Sequence, residues 1–212
     1  MALMIPGRSV QLEAVLREPH NLPLRGAAAL CHPHPVYGGT MENRVVFRAG
    51  KAVVAAGFAA LRFNFRGVGK STGSFDQGVG EKDDVACVID WLERKYPGPP
   101  LTLIGFSFGA WVGLQVGCAD PRIRALVGLG LPLNYYDFDF LMENPKPALF
   151  IAGTQDEFCP HDRMQQLARR LPPTSRVYLI EGAEHFFAWE LDQVQSLITE
   201  FFRELEPRQV SP

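Results

Sequence analysis

Leu101-Thr102-Leu103-Ile104-Gly105-Phe106-Ser107-Phe108-Gly109-Ala110 is an apolar run that stops at a serine with a glycine two residues to either side. Trp111, Val112, Leu114 and Val116 follow at spacings that suit a buried helix. Strand, sharp turn and helix in that order predict a nucleophile elbow. A serine pushed out on such a turn needs near-absent side chains around it, and the G-x-S-x-G pattern supplies them at Gly105 and Gly109. The five-residue pattern alone arises by chance; the strand before it and the helix after it are what make it informative.

Working outward, 212 residues with 47% hydrophobic and 21% charged content suit one globular domain, residues 1–212, with a sizeable core. A net charge of -2 and a pI near 6.2 give no electrostatic reason to expect nucleic acid or an anionic membrane, so the expected partner is a small molecule. No apolar run approaches the ~18 residues of a spanning helix, and no charged leader precedes an apolar segment at the start, so a cytoplasmic location is expected. Cys31, Cys87, Cys118 and Cys159 are spread singly, which favours reduced thiols over bridges.

Before the elbow, Leu3 to Ile5 and Val10 to Leu16 flank Pro6-Gly7 and read as a β-hairpin. Ala27 to Cys31 suits a buried central strand, and His32-Pro33-His34-Pro35-Val36-Tyr37-Gly38-Gly39 follows as a rigid loop at its carboxyl end. Pro33 and Pro35 lack backbone donors, so between His32 and Val36 only His34 offers an N–H, as half of an oxyanion hole would require. Asn43 to Gly57 has helical spacing, and Phe58 to Phe65 reads as a strand. The loop Arg66-Gly67-Val68-Gly69-Lys70-Ser71 misses the phosphate-binding G-x-x-x-x-G-K-[ST] pattern because Asn64 stands where its first glycine belongs, and no helix follows directly. Arg66 is instead expected to pin that loop by hydrogen bonds.

After the elbow helix, Ile123 to Leu131 and Ala148 to Gly153 are apolar strands. Only 16 residues, Pro132 to Pro147, connect them, enough for a short helix near Phe138 to Met142 but not for a lid. Pro160 to Leu171 has helical composition, Arg176 to Ile180 reads as a last strand, and Leu191 to Leu205 as an amphipathic closing helix. Alternating strands and helices imply a mostly parallel sheet covered on both faces, with the site at the strands' carboxyl ends.

Ser107 needs a base, and the base an orienting carboxylate. His185, just past the last strand, fits the base better than His161, five residues beyond Asp156, or His20 in the N-terminal connector. Asp156, three residues past Gly153, fits the acid better than Asp137 or Asp139, which lie deeper in a polar connection. These choices give the order Ser, Asp, His. By the elbow rule the N–H of Phe108 supplies one oxyanion donor, with His34 as the second. Tyr37, Phe158, Phe186 and Trp189 are candidates for an apolar pocket and would serve equally as core. His32 with His34, and Cys159 with His161, are close pairs that zinc could use, but neither spacing matches a metal motif; no metal and no cofactor are expected.

Gly105 to Gly109, Arg66 to Ser71, Asp156 and Glu184-His185-Phe186-Phe187 together resemble the α/β-hydrolase superfamily. With His32 to Gly39 and Phe63 to Gly69, the chain is similar to small lidless bacterial hydrolases of the dienelactone hydrolase-like and prolyl-oligopeptidase-like group. The resemblance spans most of the chain, although serine stands where dienelactone hydrolases carry cysteine. It implies the α/β-hydrolase fold and also favours His34 as an oxyanion donor, from the histidine-containing oxyanion loops of the superfamily. The expected function is hydrolysis of small carboxylic esters through an acyl-enzyme. The alternatives are a thioesterase or amidase/peptidase on the same residues, or a binding protein that kept the fold without turnover. The missing lid favours short acyl groups.

Overall fold

Val10, Leu12, Ala14 and Leu16 are buried while the residues between them face outward or sit half-buried, so one face of the hairpin's second strand meets the core. This strand, β2 (Gln11–Arg17), pairs antiparallel with β1 (Ala2–Pro6), and Gly7 closes the turn by donating to Val10 O. The structure, a computed structural model, describes residues 2–205. The expected domain of residues 1–212 reaches past these at both ends, Met1 and residues 206–212 lying outside them.

Six further strands complete the sheet: β3 (Gly26–Cys31), β4 (Phe58–Phe63), β5 (Leu101–Phe106), β6 (Ile123–Leu129), β7 (Ala148–Gly153) and β8 (Ser175–Ile180). The order is β1-β2-β4-β3-β5-β6-β7-β8, antiparallel at the hairpin end and parallel from β4 through β8. Between the strands run α1 (Arg44–Ala55), α2 (Val79–Lys95), α3 (Phe108–Ala119) and α4 (His161–Arg170), and α5 (Leu191–Glu204) follows β8. This is the α/β-hydrolase architecture that the sequence implies.

Central strands buried on both faces need apolar residues at every position, and the period of two sorts them into two cores. Ala27, Ala29, Leu101, Leu103 and Phe150 pack with α2, α3 and α4; Ala28, Leu30, Ile104, Phe106 and Leu149 pack with α1 and α5. The connection Pro132–Pro147 carries one 3-10 turn, Asp139–Glu143, and no lid. The turn falls where a short helix was expected.

Arg25, just ahead of β3, ties two helix ends together. Its Nη1 donates to Ala56 O at 3.3 Å and Phe202 O at 3.4 Å, and its Nη2 to Arg203 O at 3.2 Å and Leu205 O at 2.7 Å. These carbonyls end α1 and α5, where unpaired oxygens carry the negative pole of each helix. The guanidinium also lies 5.4 Å from the Phe58 ring centroid. Arg25→Met is therefore expected to cost about 2 kcal/mol and lower Tm by roughly 4–8 °C in thermal denaturation. A Tm within about 1 °C of wild type would mean that the helix ends are held by other contacts.

Candidate active site

At the junction of β5 and α3, Ser107 has φ 54° and ψ -123°, a conformation that a residue with a Cβ adopts only when its surroundings hold it there. They do so by close approach. A Cβ at Gly105 would stand 2.4 Å from Ala110 Cα, and one at Gly109 2.4 Å from His32 O. The turn is bonded on both sides: Ser107 N–H donates to Leu129 O at 2.9 Å, and Ala110 N–H to Ser107 O at 2.8 Å.

His185 and Asp156 meet 29 residues apart in sequence. His185 Nδ1 lies 2.8 Å from Asp156 Oδ2, and both residues are buried. The other carboxylate oxygen accepts the N–H groups of Phe158 at 2.9 Å and Cys159 at 3.0 Å, so the turn after β7 sets the carboxylate's orientation. The histidine is held by its own loop. Phe187, with φ 50°, is fully buried in the core that also holds α1 and α5, and Phe187 N–H donates to Glu184 O at 3.1 Å. Gly130, at the end of β6, makes room for the ring, since a Cβ there would stand 3.1 Å from His185 Cε1. With Nδ1 on the carboxylate, Nε2 is the ring nitrogen turned away from it.

The loop after β3 is pinned by His32. Its Nδ1 lies 2.6 Å from Pro33 O and its Nε2 accepts Phe65 N–H at 3.0 Å, so both ring nitrogens are spent on backbone and the proton sits on Nδ1. The His34 ring packs 4.8 Å from the Phe108 ring and its Nδ1 accepts Val36 N–H at 3.2 Å. The backbone N–H groups of His34 and Phe108 have no acceptor among the described residues.

Ser107, His185, Phe108 and His34 line one open cavity of about 500 Å³. Tyr37, Phe158 and Phe186 also line it. Trp189 does not: it is 92% exposed and lies outside the lining, because buried Phe187 takes the inward position in this loop. Asn43, Pro132, Tyr135 and Tyr136 line the cavity without having been singled out from the sequence. The signal for the tyrosines is their place in the loop that follows β6, and Tyr136 is held by stacking on Trp111 at 4.3 Å. No Asp, Glu, Lys or Arg is among the lining residues.

The rival residues sit elsewhere. Asp139 pairs with Arg170 on the surface, Asp137 accepts Asp139 N–H, and half-buried His161 lies beside Gln165 at the start of α4. Arg66 holds its loop as expected, through Nε and Nη2 to the fully buried carboxylate of Asp84, with Nη2 to Oδ1 at 2.8 Å. Among the described residues no three His, Cys, Asp or Glu side chains are grouped as metal ligands, all four cysteines are free, and no helix is long and apolar enough to cross a membrane.

Residues 9–144 match the family described as X-Pro dipeptidyl-peptidase (S15 family). The chain belongs to this family. Its fold is that of the α/β serine hydrolases: a member without a lid from Xanthomonas campestris superposes with a TM-score of 0.90 at 31% identity, covering 100% of this chain and 96% of that one. An uncharacterized protein of Rickettsia prowazekii is 38% identical over 82% of this chain and 77% of its own length. A bovine mitochondrial palmitoyl-protein thioesterase, ABHD10, is 31% identical over 47% of this chain, and the chain spans only 32% of its length.

In this S15-family chain, buried His32 has a consequence for acid stability. Burial pushes its pKa from the usual 6.5 down to about 4. On acidification the unfolded chain therefore binds this proton first. The contribution is fully present above pH 6.5 and is lost as pH falls toward 4, by an amount on the order of 3 kcal/mol. Tm measured across that window should fall less steeply in His32→Gln than in wild type. Equal slopes would show that other groups set the acid limb.

Proposed function

We propose that this hydrolase cleaves small, uncharged carboxylic esters through an acyl intermediate on Ser107. The observation that carries the reading is the 2.8 Å contact between His185 Nδ1 and Asp156 Oδ2, made by a histidine that shares a cavity with the elbow serine. Ser107 Oγ attacks the ester carbonyl as His185 Nε2 takes its proton, and Asp156 stabilises the imidazolium that forms. The oxyanion is received by the backbone N–H groups of Phe108 and His34, whose lack of acceptors supports this role. Collapse of the tetrahedral intermediate breaks the bond to the alkoxide, which takes the proton from His185. Water, deprotonated by the same histidine, then releases the acid and restores Ser107.

The uncharged lining supports an ester over a peptide with a free amino end. An X-Pro dipeptidyl-peptidase must hold the substrate's ammonium group, and an ammonium taken from water with no carboxylate beside it costs several kcal/mol. The cavity of this chain brings none. Thioester hydrolysis on the same residues is the second reading, favoured by the similarity to the bovine thioesterase.

Ser107→Ala should lower kcat/KM for p-nitrophenyl esters about a thousandfold or more and abolish labelling by a fluorophosphonate, with Tm retained. Activity within about tenfold of wild type, roughly 1.4 kcal/mol of barrier, would place the nucleophile elsewhere. A chain-length series below the substrates' aggregation limits should peak at roughly two to six acyl carbons, since each buried methylene adds about 0.8 kcal/mol only until an open cavity is filled. A continued rise to long acyl chains would instead support the thioesterase's class of substrate; thioester and amide counterparts assayed beside the esters separate the three bond types.

A further inference from the structure

Asn43 stands at the entrance to α1 and lines the cavity that holds Ser107 and His185. Its Oδ1 accepts Val45 N–H at 2.9 Å, the N-cap bond that satisfies one of the first free donors of the helix. That bond also decides which way the carboxamide faces, because only the oxygen can accept a backbone N–H. Nδ2 is left as the free end, and it has no acceptor among the described residues. A donor already held by a helix cap loses little rotational freedom on meeting a ligand. Around it, besides Ser107, the cavity is lined by aromatic rings, prolines and glycines with no Asp, Glu, Lys or Arg; of its three tyrosines, Tyr37 and Tyr135 stand largely in solvent and Tyr136 is half-buried.

We infer that Asn43 determines specificity: Nδ2 donates to a neutral acceptor oxygen that the substrate carries away from the scissile carbonyl. The site then prefers oxygenated, uncharged esters to hydrocarbon esters of the same length and shape. The physical basis is the asymmetry of an unmade hydrogen bond. A methylene laid over Nδ2 strips its water and returns nothing, whereas an ether oxygen at that place restores the bond. The inference rests on the ester reading above.

The test compares isosteric pairs in which one methylene is exchanged for an ether oxygen: ethoxyacetate against pentanoate esters for the acyl side, and 2-methoxyethyl against butyl esters for the alcohol side. Asn43→Ser and Asn43→Asp both keep a capping oxygen and lose the amide donor, so α1 retains its start. For each pair the ratio of kcat/KM, oxygenated over hydrocarbon, is measured in wild type and variants; intrinsic reactivity cancels in that comparison. On at least one pair the ratio should fall about threefold to tenfold in both variants. Ratios within about twofold of wild type on both pairs, or equal losses for both members of each pair, would overturn the inference. The same ratios read as dissociation constants in Ser107→Ala, with and without Asn43→Ser, do not depend on turnover. A shift in Kd ratio there would uphold the role of Asn43 even if Ser107 proved not to be the nucleophile, and its absence would refute that role.

Discussion

Strand β5 and helix α3 can meet at Ser107 only because two positions beside it carry no Cβ. At Gly105 the strand backs onto Ala110, and at Gly109 the helix backs onto the carbonyls of Cys31 and His32 at the end of β3. The second approach makes the elbow more than a local turn, since it sets the start of α3 against the loop that carries His34. The serine's backbone conformation costs about 1–3 kcal/mol. It is sustained by the bond to Leu129 O and by a strand buried along its whole length. Any side chain at Gly109 would push α3 from β3 and separate the N–H groups of Phe108 and His34.

The parallel sheet explains why the remaining parts converge. Strands β3, β5, β6, β7 and β8 end on the same side, so their following loops share one rim. Each loop is held by different chemistry. His32 uses both ring nitrogens on backbone, Asp156 takes two backbone N–H groups on the oxygen that His185 leaves free, and the His185 loop is anchored by buried Phe187. Buried polar atoms must find partners, and here the partners are mostly main chain, which cannot swing away as a side chain can. The cavity between the loops is lined by no Asp, Glu, Lys or Arg.

The elements were legible because their signals are local. Alternation exposed β2, unbroken apolar runs exposed the central strands, and helical spacing exposed α1, α3 and α5. Elbow, carboxylate and histidine were legible for another reason: in a parallel sheet, position just past a strand already states which rim a residue occupies. That is why the sequence favours Asp156 over Asp137 and Asp139, and the latter two lie on the surface with other partners.

What the sequence by itself determined is thus the order of elements, the absence of a lid, and the elbow, acid and histidine loops. Tertiary structure decided which side chains of those loops face inward. Phe186, Phe187 and Trp189 are equally apolar in sequence, yet one lines the cavity, one fills the core and one stands in solvent. An irregular loop has no repeat from which facing can be read; it is set by the core it meets, and Phe187 joins a cluster that includes sequence-distant Leu30, Val46 and Phe106. The same holds for Arg25, whose acceptors lie 31 to 180 residues away, and for Asn43, legible as a helix start but not as part of the cavity wall.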